Sequence, residues 1–256
     1  MTRERNDNKA APHGPSANKI FVKFTIMLRS WLADFAGLIF PRLCPACREP
    51  LARGEAHLCT SCRAELPYTD FHRLPPAANP LGRRFWGKLP VRHALSYLQF
   101  VRHGRVQHLL YELKYGGQRG LGTALGRLYG AELAAAGLAA EFDLVVPVPL
   151  HPRKLAQRGY NQAAVFAEGL AVGLALPWVP ALRRTAHTAT QTKKNRAQRW
   201  ENVATVFETA DVKAVAGRHV LLVDDVLTTG ATLEACGAAL LAAGAREISI
   251  ATIACA

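Results

Sequence analysis

An α/β fold, with a parallel sheet flanked by helices and a small cysteine-bearing unit ahead of it, is what the sequence predicts. Three observations carry that expectation. Strand-like and helix-like patterns alternate from about residue 91 onward, the mark of a parallel sheet with helices on both faces. The apolar run Val220–Val223 shows no polar alternation, as expected of a strand covered on both sides. Four cysteines stand together as Cys44-x-x-Cys47 and Cys59-x-x-Cys62, outside the alternating region. The 256 residues, half of them hydrophobic, suffice for one such domain and a small appendage.

Residues 1–19 are polar and contain Pro12, Gly14 and Pro15, so a disordered tail is expected. Ile20 to Phe40 reads as an amphipathic helix, stopped by Pro41. Lys23, Arg29 and Asp34 interrupt it, so it reads neither as a membrane span nor, lacking a cleavage site, as a signal peptide. It lies either on the fold or on a membrane surface. With the cysteine segment it makes up residues 20–70, and the Pro/Gly-rich residues 71–90 read as a connector to a domain over 91–256.

Within that domain His93–Phe100 is a strand, and Val106–Tyr115 an amphipathic helix closed by Gly116-Gly117. Leu121–Ala139 is a second helix, Leu144–Val148 a short buried strand and Asn161–Leu174 a third helix. The strand Val220–Val223, the helix Leu233–Ala243 and the strand Ile248–Ile253 complete the pattern.

Two Cys-x-x-Cys pairs separated by eleven residues have the ligand count and spacing of a structural zinc site. Each pair turns two thiolates toward one metal, and two pairs close a tetrahedron with no open position for chemistry. Redox-active pairs and an iron–sulfur cluster are the competing readings, and His57 is a substitute ligand nearby. Cys236 and Cys255 sit in apolar surroundings and read as buried, inert thiols. This usage excludes a disulfide framework and points to a reducing, cytoplasmic compartment. The formal charge of +13 favours polyanionic partners, whether nucleic acid, pyrophosphate-bearing metabolites or anionic membrane.

The segment from Val220 to Thr232 carries the chemistry. Asp224 and Asp225 follow the apolar strand and can accept hydrogen bonds from vicinal ribose hydroxyls. Thr228, Thr229, Gly230, Ala231 and Thr232 then offer backbone N–H groups and hydroxyls to a phosphate, at the positive end of the next helix. Helix-capping aspartates are the bland alternative. The segment resembles the PRPP-binding motif of the type I phosphoribosyltransferases. That resemblance assigns Asp224 and Asp225 to the ribose hydroxyls and Thr228 to Thr232 to the 5-phosphate.

A second loop follows Val148, with Arg153, Lys154 and Arg158 as countercharge for a pyrophosphate. Pro147, Pro149 and Pro152 have no N–H to offer, so side chains would carry the binding; a basic solvated surface is the alternative. Arg183, Arg184, Lys193, Lys194, Arg196 and Arg199 form an acid-free run. It suits a lid over an anionic ligand, a track for single-stranded DNA, or a merely solvated face. Tyr160 and Trp200 are either stacking platforms or core.

Taken in order, the cysteine pairs, Leu113-Lys114-Tyr115 before glycines, Pro147-Val148-Pro149-Leu150 and Arg158-Gly159-Tyr160-Asn161-Gln162 resemble the ComF family of competence-related proteins. Thr188-x-x-Gln191, Arg199-x-x-Asn202-Val203 and the Asp-Asp motif extend the likeness from about residue 31 to the end. Lys193-Lys194 departs from the family, which tends to have a leucine there. The resemblance implies an N-terminal four-cysteine zinc finger on a phosphoribosyltransferase-like domain. It also implies a role in handling imported single-stranded DNA on the cytoplasmic side, with DNA-uptake or helicase proteins as partners and attachment at the inner membrane as an option. An active enzyme would transfer 5-phosphoribosyl from PRPP to an amine or base. Mg²⁺ would bridge pyrophosphate and ribose hydroxyls, with Lys114, Val148, Arg153, Lys154 and Arg158 at the pyrophosphate.

Overall fold

The computed structural model describes residues 40–184 and 206–256. The expected tail, the amphipathic helix up to residue 39, and Lys193, Lys194, Arg196, Arg199 and Trp200 lie outside the described residues. Cys44–Ala256 form one compact unit.

In chain order its elements are α1 (Thr60–Glu65), β1 (Val91–Gln99), α2 (Arg105–Tyr115), α3 (Arg119–Ala135), β2 (Leu144–Pro147), α4 (Pro152–Arg158) and α5 (Gln162–Leu174). After these come β3 (Leu182–Arg184), β4 (Phe207–Thr209), α6 (Val212–Val215), β5 (His219–Leu227), α7 (Ala231–Ala242) and β6 (Glu247–Cys255). The main sheet has the order β1-β6-β5-β2, and all three pairings are parallel. A separate antiparallel ribbon joins β3 to β4.

Both faces of the sheet are buried, which explains the unbroken apolar run in β5. Leu221 and Val223 point into a core shared with Leu109 and Leu113 of α2, Leu125 of α3 and Phe166 of α5. Val220 and Leu222 point the other way, toward Leu233, Cys236 and Leu240 of α7. Cys236 and Cys255 are fully buried, as their apolar settings suggested.

The helices on the first face meet through glycine. Gly122, Gly126 and Gly130 recur every four residues on α3, Gly126 and Gly130 opposite Gly169 and Gly173 on α5 and Gly122 against the Val165 side chain. A Cβ on Gly126 would stand 2.2 Å from the Phe166 carbonyl oxygen, and one on Gly169 would stand 2.1 Å from that of Thr123. The two backbones therefore touch directly.

Three departures from the sequence reading have local causes. The helix expected to reach Ala139 stops at Ala135, because Gly137 takes a left-handed φ of +80° and the chain restarts as a 3-10 turn, Leu138–Glu141. The loop after β2 contains α4, started by Pro152 at its first position and capped by the His151 side chain. Residues 71–90 carry three 3-10 turns rather than loose linker, and bury Leu81, Phe85 and Leu89 on the second face of the sheet. Asn79 holds this stretch to β1 by donating to the Ala94 carbonyl at 2.6 Å.

Candidate functional site

Parallel strands β2 and β5 are neighbours, with Pro147 opposite Val223, so the loops leaving their carboxyl ends start side by side. Ligands of open α/β sheets bind at such strand ends. Strand β5 runs on past the apolar residues, and Asp224 and Asp225 fall within its second half, Asp224 opposite Thr252 of β6.

Both acids are part-buried. Loss of water and then the charge of Asp225 push the Asp224 carboxyl up to about 7, against the opposing pull of the Asp225 N–H and of Lys114. That N–H donates to Asp224 Oδ1 at 2.8 Å. Lys114, at the end of α2, reaches Asp225 Oδ2 at 3.0 Å. The lysine assigned to pyrophosphate thus neutralises the acid assigned to ribose.

Beyond β5, Thr228 and Thr229 are exposed and Gly230 turns the chain with φ +86° into α7. Residues Asp224 and Val226–Leu233 line one small concavity. Gly230 has no side chain to cap α7, so the Thr232 and Leu233 N–H groups of its first turn have no acceptor among the described residues. The Ala231 N–H donates to the Thr229 hydroxyl in a long bond of 3.5 Å. The loop therefore presents hydroxyls, free amides and a helix N-terminus together, a setting that suits a phosphate.

The second loop is divided. The Val148 N–H is taken by the Val223 carbonyl at 2.8 Å, which removes it as a pyrophosphate donor. Arg153 and Lys154 project from α4 into solvent. Arg158 is more confined: it donates to Gln162 Oε1 at 2.8 Å, lies over the Tyr115 ring at 5.4 Å, and keeps a buried Nε without a partner. Tyr160 is core, not a stacking platform, since it is buried and its hydroxyl donates to the Leu113 carbonyl. Arg183 pairs with Glu208 at 2.6 Å and Arg184 lies over Phe207 at 5.3 Å, so both serve the small ribbon.

Sequence reasoning missed Arg84, Lys88 and Glu234. Arg84 Nη1 donates to the Thr228 carbonyl at 2.7 Å, and Lys88 Nζ pairs with the buried Glu234 at 3.0 Å. No motif marks the arginine or the lysine, which stand in what reads as connector.

Away from this site, the sulfur atoms of Cys44, Cys47, Cys59 and Cys62 all lie within 4.8 Å of one another. Cys47 Sγ and Cys59 Sγ are 3.8 Å apart. Thiolates on one tetrahedral zinc with bonds of about 2.3 Å stand at about that separation. Burial raises the Cys44 thiol, but N–H groups of Cys59, Cys47 and Ala46 outweigh it and bring the group down to about 7. The donor set fits structural zinc. His57 is not in the cluster; its ring lies against Gly120 at the start of α3.

Comparison with known proteins agrees with both halves. Residues 161–255 match the phosphoribosyl transferase domain model and residues 35–73 the double zinc ribbon domain. The DNA utilization protein YhgH of Escherichia coli K12 is 31% identical over 83% of this chain and 96% of its own length. Competence protein F of Haemophilus influenzae is 29% identical over 81% of this chain and 88% of its own. The chain belongs to the ComF family. This ComF-family member has a phosphoribosyltransferase-like parallel sheet and an N-terminal four-cysteine zinc ribbon. A solved glutamine PRPP amidotransferase from B. subtilis, complexed with ADP and GMP, overlaps 56% of this chain and 30% of that one, at a TM-score of 0.40 and 23% identity. Among the described residues no helix is long and apolar enough to cross a membrane.

Proposed function

We propose that this ComF-family chain binds PRPP, or a related phosphoribosyl ligand, with Mg²⁺ at the end of β5, and acts in DNA uptake by handling single-stranded DNA in the cytoplasm. One observation carries the ligand: the paired acids Asp224 and Asp225 run directly into an uncapped, hydroxyl-lined turn at the start of α7. The acids accept from the ribose hydroxyls and the turn holds the 5-phosphate. Lys114 exchanges its bond to Asp225 for the pyrophosphate, beside Arg158. Bound with the ligand, Mg²⁺ would supply charge neutralisation for the pyrophosphate beside Asp224, Asp225 and Lys114. Support for the DNA role is the charge of +13 and relatives named for DNA utilization and competence.

A second reading, transfer of the phosphoribosyl group to an amine or base, is favoured by the completeness of the same acid–turn unit. Positive charge at the anomeric carbon would then be met by the acid pair.

Calorimetric titration of the zinc-loaded protein with PRPP and Mg²⁺ tests the ligand. Asp224→Asn/Asp225→Asn is expected to weaken binding about a hundredfold or more, since two charge-assisted hydrogen bonds are lost. Ionised acids are the better acceptors, so wild-type affinity should climb as pH rises through about 7, where Asp224 loses its proton. In Asp224→Asn that part of the climb should vanish. A wild type that ignores PRPP removes the ligand assignment and leaves single-stranded DNA as the next titrant.

A further inference from the structure

Residues 82–89 fall between the two matched domain models, yet they brace the phosphate turn from behind. Arg84 spreads its guanidinium between two main-chain oxygens: Nη1 donates to the Thr228 carbonyl and Nη2 to an oxygen of Ala256. Phe85 packs under Gly230, its Cε1 3.1 Å from where a Cβ would stand. Lys88 Nζ bonds Glu234 Oε1 at 3.0 Å and the Arg84 carbonyl at 3.3 Å. Leu89 sits 2.5 Å from a Cβ position on Gly237. Gly230, Glu234 and Gly237 form one stripe at the start of α7, and the 82–89 segment lies along it.

We propose that Arg84 and Lys88 are positioning residues for the phosphate turn, Arg84 by orienting its amides and Lys88 by cancelling a charge that would oppose the anion. The proposal rests on the phosphoribosyl reading of that turn.

Peptide geometry gives Arg84 its orienting role. No cis peptide occurs among the described residues, so the Thr228 carbonyl and the Thr229 N–H point in opposite directions across one planar unit. Holding the carbonyl toward Arg84 turns the Thr229 N–H away from it, to the opposite side of the turn. Neither the Thr229 nor the Gly230 amide has an acceptor among the described residues. A planar guanidinium can bond two such oxygens at once in a fixed fork, whereas a lysine ammonium lacks that fork.

Lys88 acts electrostatically. Glu234 is an acid in the first turn of α7, with Oε1 3.6 Å from the Gly230 Cβ position. A carboxylate there is welcome to the helix dipole but repels an incoming phosphate. Its side chain is only 9% exposed, so water screens it poorly, and Lys88 supplies the compensating charge.

Titration with ribose 5-phosphate, together with amide NMR of the unliganded protein, tests both roles. Arg84→Ala is expected to lower affinity about tenfold and to shift or broaden the Thr229 and Gly230 amide signals before any ligand is added. Arg84→Lys should recover only part of the affinity. Lys88→Met should weaken binding with those signals nearly in place, and adding Glu234→Gln should restore it, a rescue that a purely structural role for Lys88 would not give. Wild-type affinity and unchanged signals in Arg84→Ala would overturn its role, and failed rescue would overturn that of Lys88. Where the wild type ignores ribose 5-phosphate the same titration is run with PRPP and Mg²⁺; if it ignores that too, the phosphoribosyl reading fails, and Lys88's anion role with it. The Arg84 amide signals then decide its orienting role alone.

Discussion

Gly126→Ala is expected to destabilise the protein by about 2 kcal/mol or more, although alanine is the better helix former by roughly 1 kcal/mol. The two effects have opposite signs, and distance decides between them. Gly126 faces α5, where an added Cβ would meet the Phe166 carbonyl oxygen at 2.2 Å and the Leu170 nitrogen at 2.7 Å. Both are backbone atoms, so no side chain can swing aside, and α3 and α5 must separate. Separation would open the core around Leu125, Phe166 and Leu170, all of which are essentially without exposure. Thermal unfolding should show a fall in Tm of roughly 4–8 °C for a chain of this size. Arg127→Ala, on the exposed side of the same helix, should move Tm little. A Gly126→Ala protein as stable as the wild type would show that the helices do not rely on this contact.

That glycine contact also marks where sequence reasoning stops. Alternating patterns located every strand of the main sheet, because both faces of β5 and β6 are covered and leave a continuous apolar run. The acid–turn unit was legible for a similar reason: Asp224 to Thr232 is local in sequence, so its residue types and spacing stand together. Close helix contacts are not local. Gly126 and Gly130 read one at a time as poor helix formers, and their purpose emerges only opposite Gly169 and Gly173. Arg84 and Lys88 were invisible on the same grounds, since their partners Thr228 and Glu234 lie 144 and 146 residues away. Of the two readings of Tyr160, core and stacking platform, the structure supports core, but nothing near it in sequence shows that its hydroxyl ends on Leu113. The proline-rich loop hid α4, where Pro152 starts a helix instead of preventing one.

Removing zinc is expected to unfold residues 44–66 while the sheet survives. A segment this short buries too little to hold itself, and structural zinc in isolated peptides contributes on the order of 10 kcal/mol, comparable with the whole stability of a domain. Its buried residues are Cys44, Ala46, Leu58, Cys59, Cys62 and Leu66, all packed into the core face that carries α2 and α3. The opposite face, built on Leu233, Cys236, Leu240 and Phe85, has no cysteine ligand in it and should persist. Between the halves run the His108 contact to the Ala46 carbonyl at 3.1 Å and the Arg105–Glu65 ion pair, both on α2. Loss of these anchors loosens the helix whose last turn holds Lys114 against Asp225. Hydrogen exchange after chelation, or in Cys59→Ser, should therefore show protection lost first over 44–66, next in α2, and last in β5 and β6. The same treatment should weaken PRPP binding while leaving the Asp224–Thr232 unit folded. Uniform loss of protection across the chain would mean that the zinc ribbon and sheet fold as one cooperative block, and unchanged exchange over 44–66 would mean that the cysteines need no metal to stay in place.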